Sequence, residues 1–147
     1  MPRSRESSFS RHPSRRGAIG VFLREEKFLV IRRSLYVRAP RKFCFPGGGI
    51  EPGETEEQAL VREMQEELSI EATPIRRLWT NRARSGIQLH WWHAHVDDFD
   101  SIKPNDEEVE SVHWMTARQM LSLHSLLPTN REFLESMLAG KFAIESP

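Results

Sequence analysis

The stretch from Pro46 to Ile70 joins a glycine-rich turn to an uninterrupted acidic helix, and it constrains the fold more than any other part of the chain. Gly47-Gly48-Gly49 is followed by Pro52-Gly53, a turn in which proline fixes φ and glycine permits positive φ. Thr55 is a candidate helix N-cap, and Gln58 is placed to complete a capping box with it. No proline or glycine interrupts the chain from there to Leu68, so the spacing predicts a helix over that interval. Leu60, Val61, Met64 and Leu68 recur at helical spacing and predict a core-facing stripe. Glu63, Glu66 and Glu67 stand at i, i+3 and i+4 and share a different face.

Like charges this close repel, at a cost of about a few tenths of a kcal/mol per pair on an exposed helix. A cation between them would turn that cost into binding energy, and carboxylate oxygens are hard ligands suited to Mg²⁺ or Mn²⁺. Taken alone, the carboxylates fit a solvated acidic face better than a metal site, since glutamate is a good helix former and charge runs are usually wet surface. The fuller spacing separates the two readings. Gly48 is followed after five residues by Glu54, and after seven more by Arg62-Glu63, with Glu66-Glu67 just beyond. This pattern resembles the Nudix box, the signature of hydrolases that cut a diphosphate linked to another moiety. Met64 and Ile70 are apolar where that family is apolar. Ser69 departs from it, standing where the family usually has the glycine of a left-handed helix end. Either serine adopts that conformation with some strain, or the helix ends differently.

Within the family the chain resembles the MutT type, which hydrolyses oxidised purine nucleoside triphosphates. Phe45-Pro46-Gly47-Gly48 through Gln58-Ala59, then Val61-Arg62-Glu63, carry the likeness. Downstream it continues in the aromatic strand Ile87–Val96, in Glu108 six residues before Trp114, and in Pro128-Thr129-Asn130. The resemblance implies an α/β sandwich with a mixed sheet between helices. It implies that the Gly47 carbonyl and the carboxylates of Glu63, Glu66 and Glu67 bind Mg²⁺, with Mn²⁺ as the alternative ion. Glu108 would help to bind metal or activate water. Arg62 would pair with box carboxylates and hold the helix against the loop. Arg33 would contact phosphates, and Arg38 lies where the MutT type has a different polar residue. Phe45 and Asn130 would border the base. Asn130 has a plainer reading as an N-cap after Pro128.

The chemistry follows from the residue types. A polyphosphate is strongly anionic and water is a poor nucleophile, so charge neutralisation, positioning and a carboxylate within reach of the water proton are what the reaction needs. Glu63 and Glu108 are both candidates for the base. The expected reaction is conversion of a nucleoside triphosphate to monophosphate and pyrophosphate. A nucleotide sugar, a dinucleotide or a capped RNA end is the alternative substrate. A catalytically silent nucleotide-binding module fits poorly, because Glu63, Glu66 and Glu67 are all kept.

At 147 residues the chain reads as one domain over 17–147, preceded by a basic tail at 1–16 that composition marks as flexible. The formal charge is zero but uneven: residues 1–42 hold 12 Lys+Arg against 3 Asp+Glu, and residues 43–147 hold 9 against 18. The basic half could meet phosphates and the acidic half could hold metal. No stretch has the length of a membrane span or the apolar core of a secretory signal. Cys44 is the only cysteine, which excludes an intrachain disulfide and suits a cytoplasmic setting. The expected partner is a nucleotide or other diphosphate-containing small molecule, with no membrane. Nucleic acid and the choice between monomer and homodimer stay open.

Strands are expected at Ala18–Leu23, Lys27–Arg32, Ile75–Ala83, Ile87–Val96 and Ser111–Met115. Helices are expected from Thr116 to about His124 and from Asn130 to Ala139. Trp91 and Trp92 point to opposite faces of a strand, so at most one could line a pocket. His93 and His95 share a face, but no acidic or cysteine partner has the spacing of a metal site.

Overall fold

A computed structural model describes residues 15–145. The reading of a flexible tail lies outside the described residues, apart from Arg15 and Arg16. Arg16 already opens the first strand.

Among the described residues, eight strands and three α-helices follow in chain order. They are β1 (Arg16–Val21), β2 (Leu23–Arg24), β3 (Lys27–Arg33), β4 (Phe43–Cys44), β5 (Gly47–Gly49), α1 (Glu56–Leu68), β6 (Thr73–Arg82), β7 (Gln88–His95), β8 (Val109–Met115), α2 (Ala117–Leu121) and α3 (Pro128–Leu138). One sheet runs β5-β1-β7-β6. Its β1–β7 pair is parallel, and its β1–β5 and β6–β7 pairs are antiparallel. The other sheet centres on β3, which pairs antiparallel with β2, β4 and β8. The expected mixed sheet and α/β class are therefore present.

Alternation along the strands builds two cores. Ala18, Leu29 and Ile31 face the side covered by α1, with Leu60, Met64 and Leu68. Ile19, Val21, Phe28 and Val30 face the opposite side, with Phe45, Trp91, Met120, Phe133 and Leu134. Side chains on successive strand residues point to opposite faces, so each strand serves both layers. Trp91 is fully buried and stacks on Phe133 at 4.4 Å between ring centroids. Trp92 faces the other way and donates its indole N–H to Glu56 at 2.8 Å.

Two local expectations change. The glycine run is not only a turn: Gly47–Gly49 pairs with Ile19, Ala18 and Gly17 as strand β5. A Cβ at Gly47 would strike the Ala18 carbonyl and the Ile19 backbone, so only glycine lets the two strands lie this close. The last helix begins at Pro128, not Asn130. Proline suits the first helical position because its missing N–H would have no helical partner there. α2 is also shorter than expected and ends at Leu121.

α1 forms over the predicted interval, with Leu60, Met64 and Leu68 in the core, but Val61, expected in the same stripe, is exposed because it falls outside the arc of the helix that meets the sheet. Thr55 accepts from the Gln58 N–H at 3.1 Å, and the Gln58 side chain accepts from the Thr55 N–H at 2.9 Å. Ser69 resolves the question at the other end: it is left-handed, with φ 57° and ψ 37°. Its N–H still reaches the Gln65 carbonyl at 3.1 Å, so serine occupies the glycine geometry and the helix ends where a glycine would end it.

Candidate active site

The acidic helix lays Glu63 against the glycine strand. A Cβ built on Gly48 would fall on the carboxyl group of Glu63. Glu63 is 2% exposed, so its carboxylate lies over β5 because residue 48 has no side chain.

Arg62 is clamped among the neighbouring acids. Its Nε and Nη2 donate to the two oxygens of Glu54, at 2.7 and 2.9 Å, in a bidentate pair. Nη1 donates to Glu63 at 2.9 Å and to Glu66 at 3.3 Å. Nη2 also donates to the Gly49 carbonyl at 2.8 Å. One guanidinium thus ties α1 to β5 and to the turn before the helix. Hydrogen bonding to Glu54 raises the Arg62 pKa well above its ordinary value. Burial opposes that shift, and the charge of Glu63 adds to it.

Glu67 follows Glu63 one turn later and is fully buried. Glu108 arrives from a loop, and that loop is tied to the end of α1. The N–H groups of Lys103 and Asn105 donate to the Leu68 and Glu67 carbonyls, each at 2.9 Å. The Glu108 N–H then closes on the Asn105 carbonyl at 2.9 Å, and Glu108 itself is buried. Among the described residues no three His, Cys, Asp or Glu side chains form a ready-made ion cage, and Arg62 occupies the space among Glu54, Glu63 and Glu66. The donor chemistry nonetheless fits a hard divalent ion. Glu63 and Glu67 offer carboxylate oxygens one turn apart on one buried helix face, the hard donors that such an ion takes.

The candidate substrate residues gather elsewhere, around one cavity of about 320 Å³. Arg33, Arg38, Phe45, Gly47 and Asn130 all line it. Gly47 is the hinge between the two parts of the site, since the next residue is the one that Glu63 covers. Arg33 is buried and donates its Nε to the Arg38 carbonyl at 2.6 Å, which folds the 34–42 loop over the cavity. Phe45 packs edge-on against Phe28, Trp91 and Phe133. Its N–H donates to Asn130 Oδ1 at 2.8 Å. Asn130 therefore caps no helix end. It sits in the first turn of α3 and spends its amide oxygen on the chain that borders the cavity.

Neither Trp91 nor Trp92 lines this cavity. His93 is buried, and His95 pairs with Asp97 at 2.9 Å. Cys44, Arg84, Ser85 and Thr129 are among the cavity-lining residues that the sequence reading did not assign to a site. Arg84 and Ser85 were legible only as a turn, because the tip of a hairpin is placed by tertiary packing and has no periodicity of its own. Thr129 could have been picked out by its place beside Asn130.

Comparison with known proteins agrees with this geometry. The NUDIX domain family model matches residues 14–137. The CTP pyrophosphohydrolase of Escherichia coli (strain K12) is 35% identical over 126 residues, covering 84% of this chain and 90% of that protein. The 8-oxo-dGTP diphosphatase of the same organism is 46% identical over 54 residues, covering 36% of this chain and 42% of that protein. The solution structure of the E. coli ORF135 protein superposes with a TM-score of 0.70 at 30% identity, covering 86% of this chain and 90% of that one.

Proposed function

Because the chain belongs to the NUDIX domain family of hydrolases acting on nucleoside diphosphate-linked compounds, we propose that its substrate is a nucleoside triphosphate and its products are the monophosphate and pyrophosphate. The observation that carries this reading is the continuity of the site. The cavity that would take a base shares Gly47 with the strand on which Glu63 rests, so a nucleotide with its base in the cavity would extend its phosphates toward α1. The relatives named for CTP and for 8-oxo-dGTP are both pyrophosphohydrolases or diphosphatases of triphosphates, which supports the reaction and leaves the base open.

In this reading Glu63, Glu66, Glu67, Glu108 and the Gly47 carbonyl would hold the ion, Mg²⁺ or Mn²⁺. When bound, a divalent cation neutralises phosphate oxygens and makes water more acidic. Arg62 keeps Glu63 in place, and Glu54 keeps Arg62 in place. Arg33 and Arg38 meet phosphate oxygens from the cavity side, and Phe45 and Asn130 border the base. Glu63 or Glu108 accepts the proton of the attacking water. The water oxygen bonds to phosphorus, the bridging P–O bond between the α and β phosphates breaks, and pyrophosphate leaves with the bonding pair.

The test is a panel of nucleoside triphosphates, nucleotide sugars and dinucleotides, with and without Mg²⁺, with pyrophosphate and monophosphate quantified separately. Turnover of a triphosphate to equal amounts of both is expected. Turnover of a nucleotide sugar or dinucleotide, with every triphosphate inert, would overturn the choice of substrate.

A further inference from the structure

The backbone of Glu108 is strung between two parts of the site. Its N–H donates to the Asn105 carbonyl at 2.9 Å, and Asn105 is itself bonded to the end of α1 through the Glu67 carbonyl. Its carbonyl accepts from the Ser34 N–H at 3.0 Å. Ser34 opens the 34–42 loop, whose Arg38 lines the cavity, yet Ser34 itself does not line it.

Ser34 is 3% exposed and uses its hydroxyl twice. Oγ donates to the Glu107 carbonyl at 2.6 Å and accepts from the Tyr36 N–H at 3.2 Å. A hydroxyl can donate and accept at once, so this one side chain joins the loop bearing Glu108 to the loop bearing Arg38. The cavity loop is closed at its base by other groups. The Arg33 N–H donates to the Lys42 carbonyl at 2.8 Å, and the Arg41 N–H to the Arg33 carbonyl at 2.9 Å. What the hydroxyl adds is the tie to Glu107.

The strand ladder does not supply that tie. Arg32 pairs with Ser111, but Arg33 lies opposite Val109, which leaves Glu110 as an extra residue in β8. Such a bulge disrupts the ladder and bends the strand that carries it. The Glu110 carboxylate turns instead to Arg32 at 3.5 Å and Arg41 at 3.0 Å. Glu108 therefore stands just before an irregular strand end, held by Asn105 on one side and Ser34 on the other.

We propose that Ser34 is a positioning residue for Glu108, fixing it in register with the cavity so that Glu108 meets the phosphate end of a nucleotide seated there. The inference rests on the part in the reaction given to Glu108 above, and it adds the group that sets where Glu108 stands. Placement of this kind matters, because a shift of about 1 Å in a reacting group can cost about a hundredfold in rate.

The test is a double-mutant cycle of Ser34→Ala and Glu108→Gln. It is read on kcat and KM for the preferred substrate of the nucleotide panel, with every variant shown to be folded by circular dichroism. S34A should lower kcat by about tenfold or more. KM should stay within about twofold of wild type, because the cavity residues keep their places. In the E108Q background the same substitution should change kcat by less than about twofold, since nothing remains for Ser34 to position. If E108Q is impaired, then an unchanged kcat in S34A, a loss confined to KM, or equal losses in both backgrounds overturns the proposal and leaves the role of Glu108 standing. Wild-type kcat in E108Q ends that role, and the proposal with it. Ser34→Cys fills the same space with a far weaker hydrogen-bonding group. It should repeat the pattern, and it takes the place of an alanine variant that does not fold. Amide hydrogen exchange gives a readout independent of turnover. S34A should speed exchange at Glu108 and Val109 by about tenfold, while the amides of α1 keep their protection. Wild-type exchange at Glu108 and Val109 overturns the proposal.

Discussion

The carboxylate of Glu63 lies directly over the Cα of Gly48. The space that any other residue would fill with a Cβ is already held by a buried carboxyl group. Glu63 cannot swing away without breaking its 2.9 Å bond to Arg62. Gly48→Ala should therefore cost about 1–3 kcal/mol of stability through overpacking, and it should lower kcat/KM by about a hundredfold by displacing Glu63. Thermal melting and steady-state kinetics check both. Wild-type values for each would mean that Glu63 can move freely.

Arg62 is the second sensitive point. Arg62→Ala removes the partner of a buried carboxylate, a change that costs about 3 kcal/mol or more when the remaining charge is left uncompensated. Arg62→Lys keeps the charge but cannot span Glu54, Glu63 and the Gly49 carbonyl with one fork. The lysine variant should fold with smaller loss of stability and still lose most of its activity. Chemical denaturation beside turnover separates the two effects.

Much of this arrangement was legible in the sequence, for identifiable reasons. The capping pair Thr55 and Gln58, the breaker-free run to Leu68 and the i, i+3, i+4 carboxylates are local signals, and α1 forms from them as read. Arg62 was legible because its spacing from Gly48 and Glu54 is fixed by the motif. The strand character of Gly47–Gly49 was not, because three glycines look like a turn until β1 supplies a partner. The cavity was half legible. Phe45 and Asn130 were singled out, but their mutual hydrogen bond spans 85 residues, and no local pattern reports it. Arg84 came from a hairpin tip whose place depends on the β6–β7 pairing.

Ser69 offers a gain in stability. A non-glycine residue at φ 57° bears a steric cost that glycine avoids. Ser69→Gly should raise stability by about 0.5–1 kcal/mol, net of the larger unfolded-state entropy of glycine. kcat/KM should stay the same. Differential scanning calorimetry gives the first and a nucleotide assay the second. A lower Tm would show that the serine is not strained.

Acid should destabilise the protein through His90 and His93, which are buried, and His113, which is half-buried. Burial is the leading cause of the lowered pKa at His90, His93 and His113; nearby arginines add to it, while Glu56 opposes it at His90 and Glu110 at His113. In the unfolded chain these groups return to the ordinary value of 6.5. As pH falls below that value the unfolded state binds protons that the folded state resists, so stability is lost. The Tm should drop between pH 7 and pH 5, and His93→Gln should flatten that slope relative to its own neutral-pH value. A wild-type Tm independent of pH over this window contradicts the account.

The most direct test concerns Glu67, which is fully buried one turn after Glu63 on α1. Mn²⁺ binding followed by electron paramagnetic resonance, on wild type and Glu67→Gln, should be set beside turnover of the preferred nucleoside triphosphate. The account predicts that E67Q stays folded, binds Mn²⁺ at least about tenfold more weakly and loses nearly all pyrophosphate release. An E67Q protein that binds Mn²⁺ and releases pyrophosphate as wild type does would contradict the central claim that these carboxylates hold the ion the reaction needs.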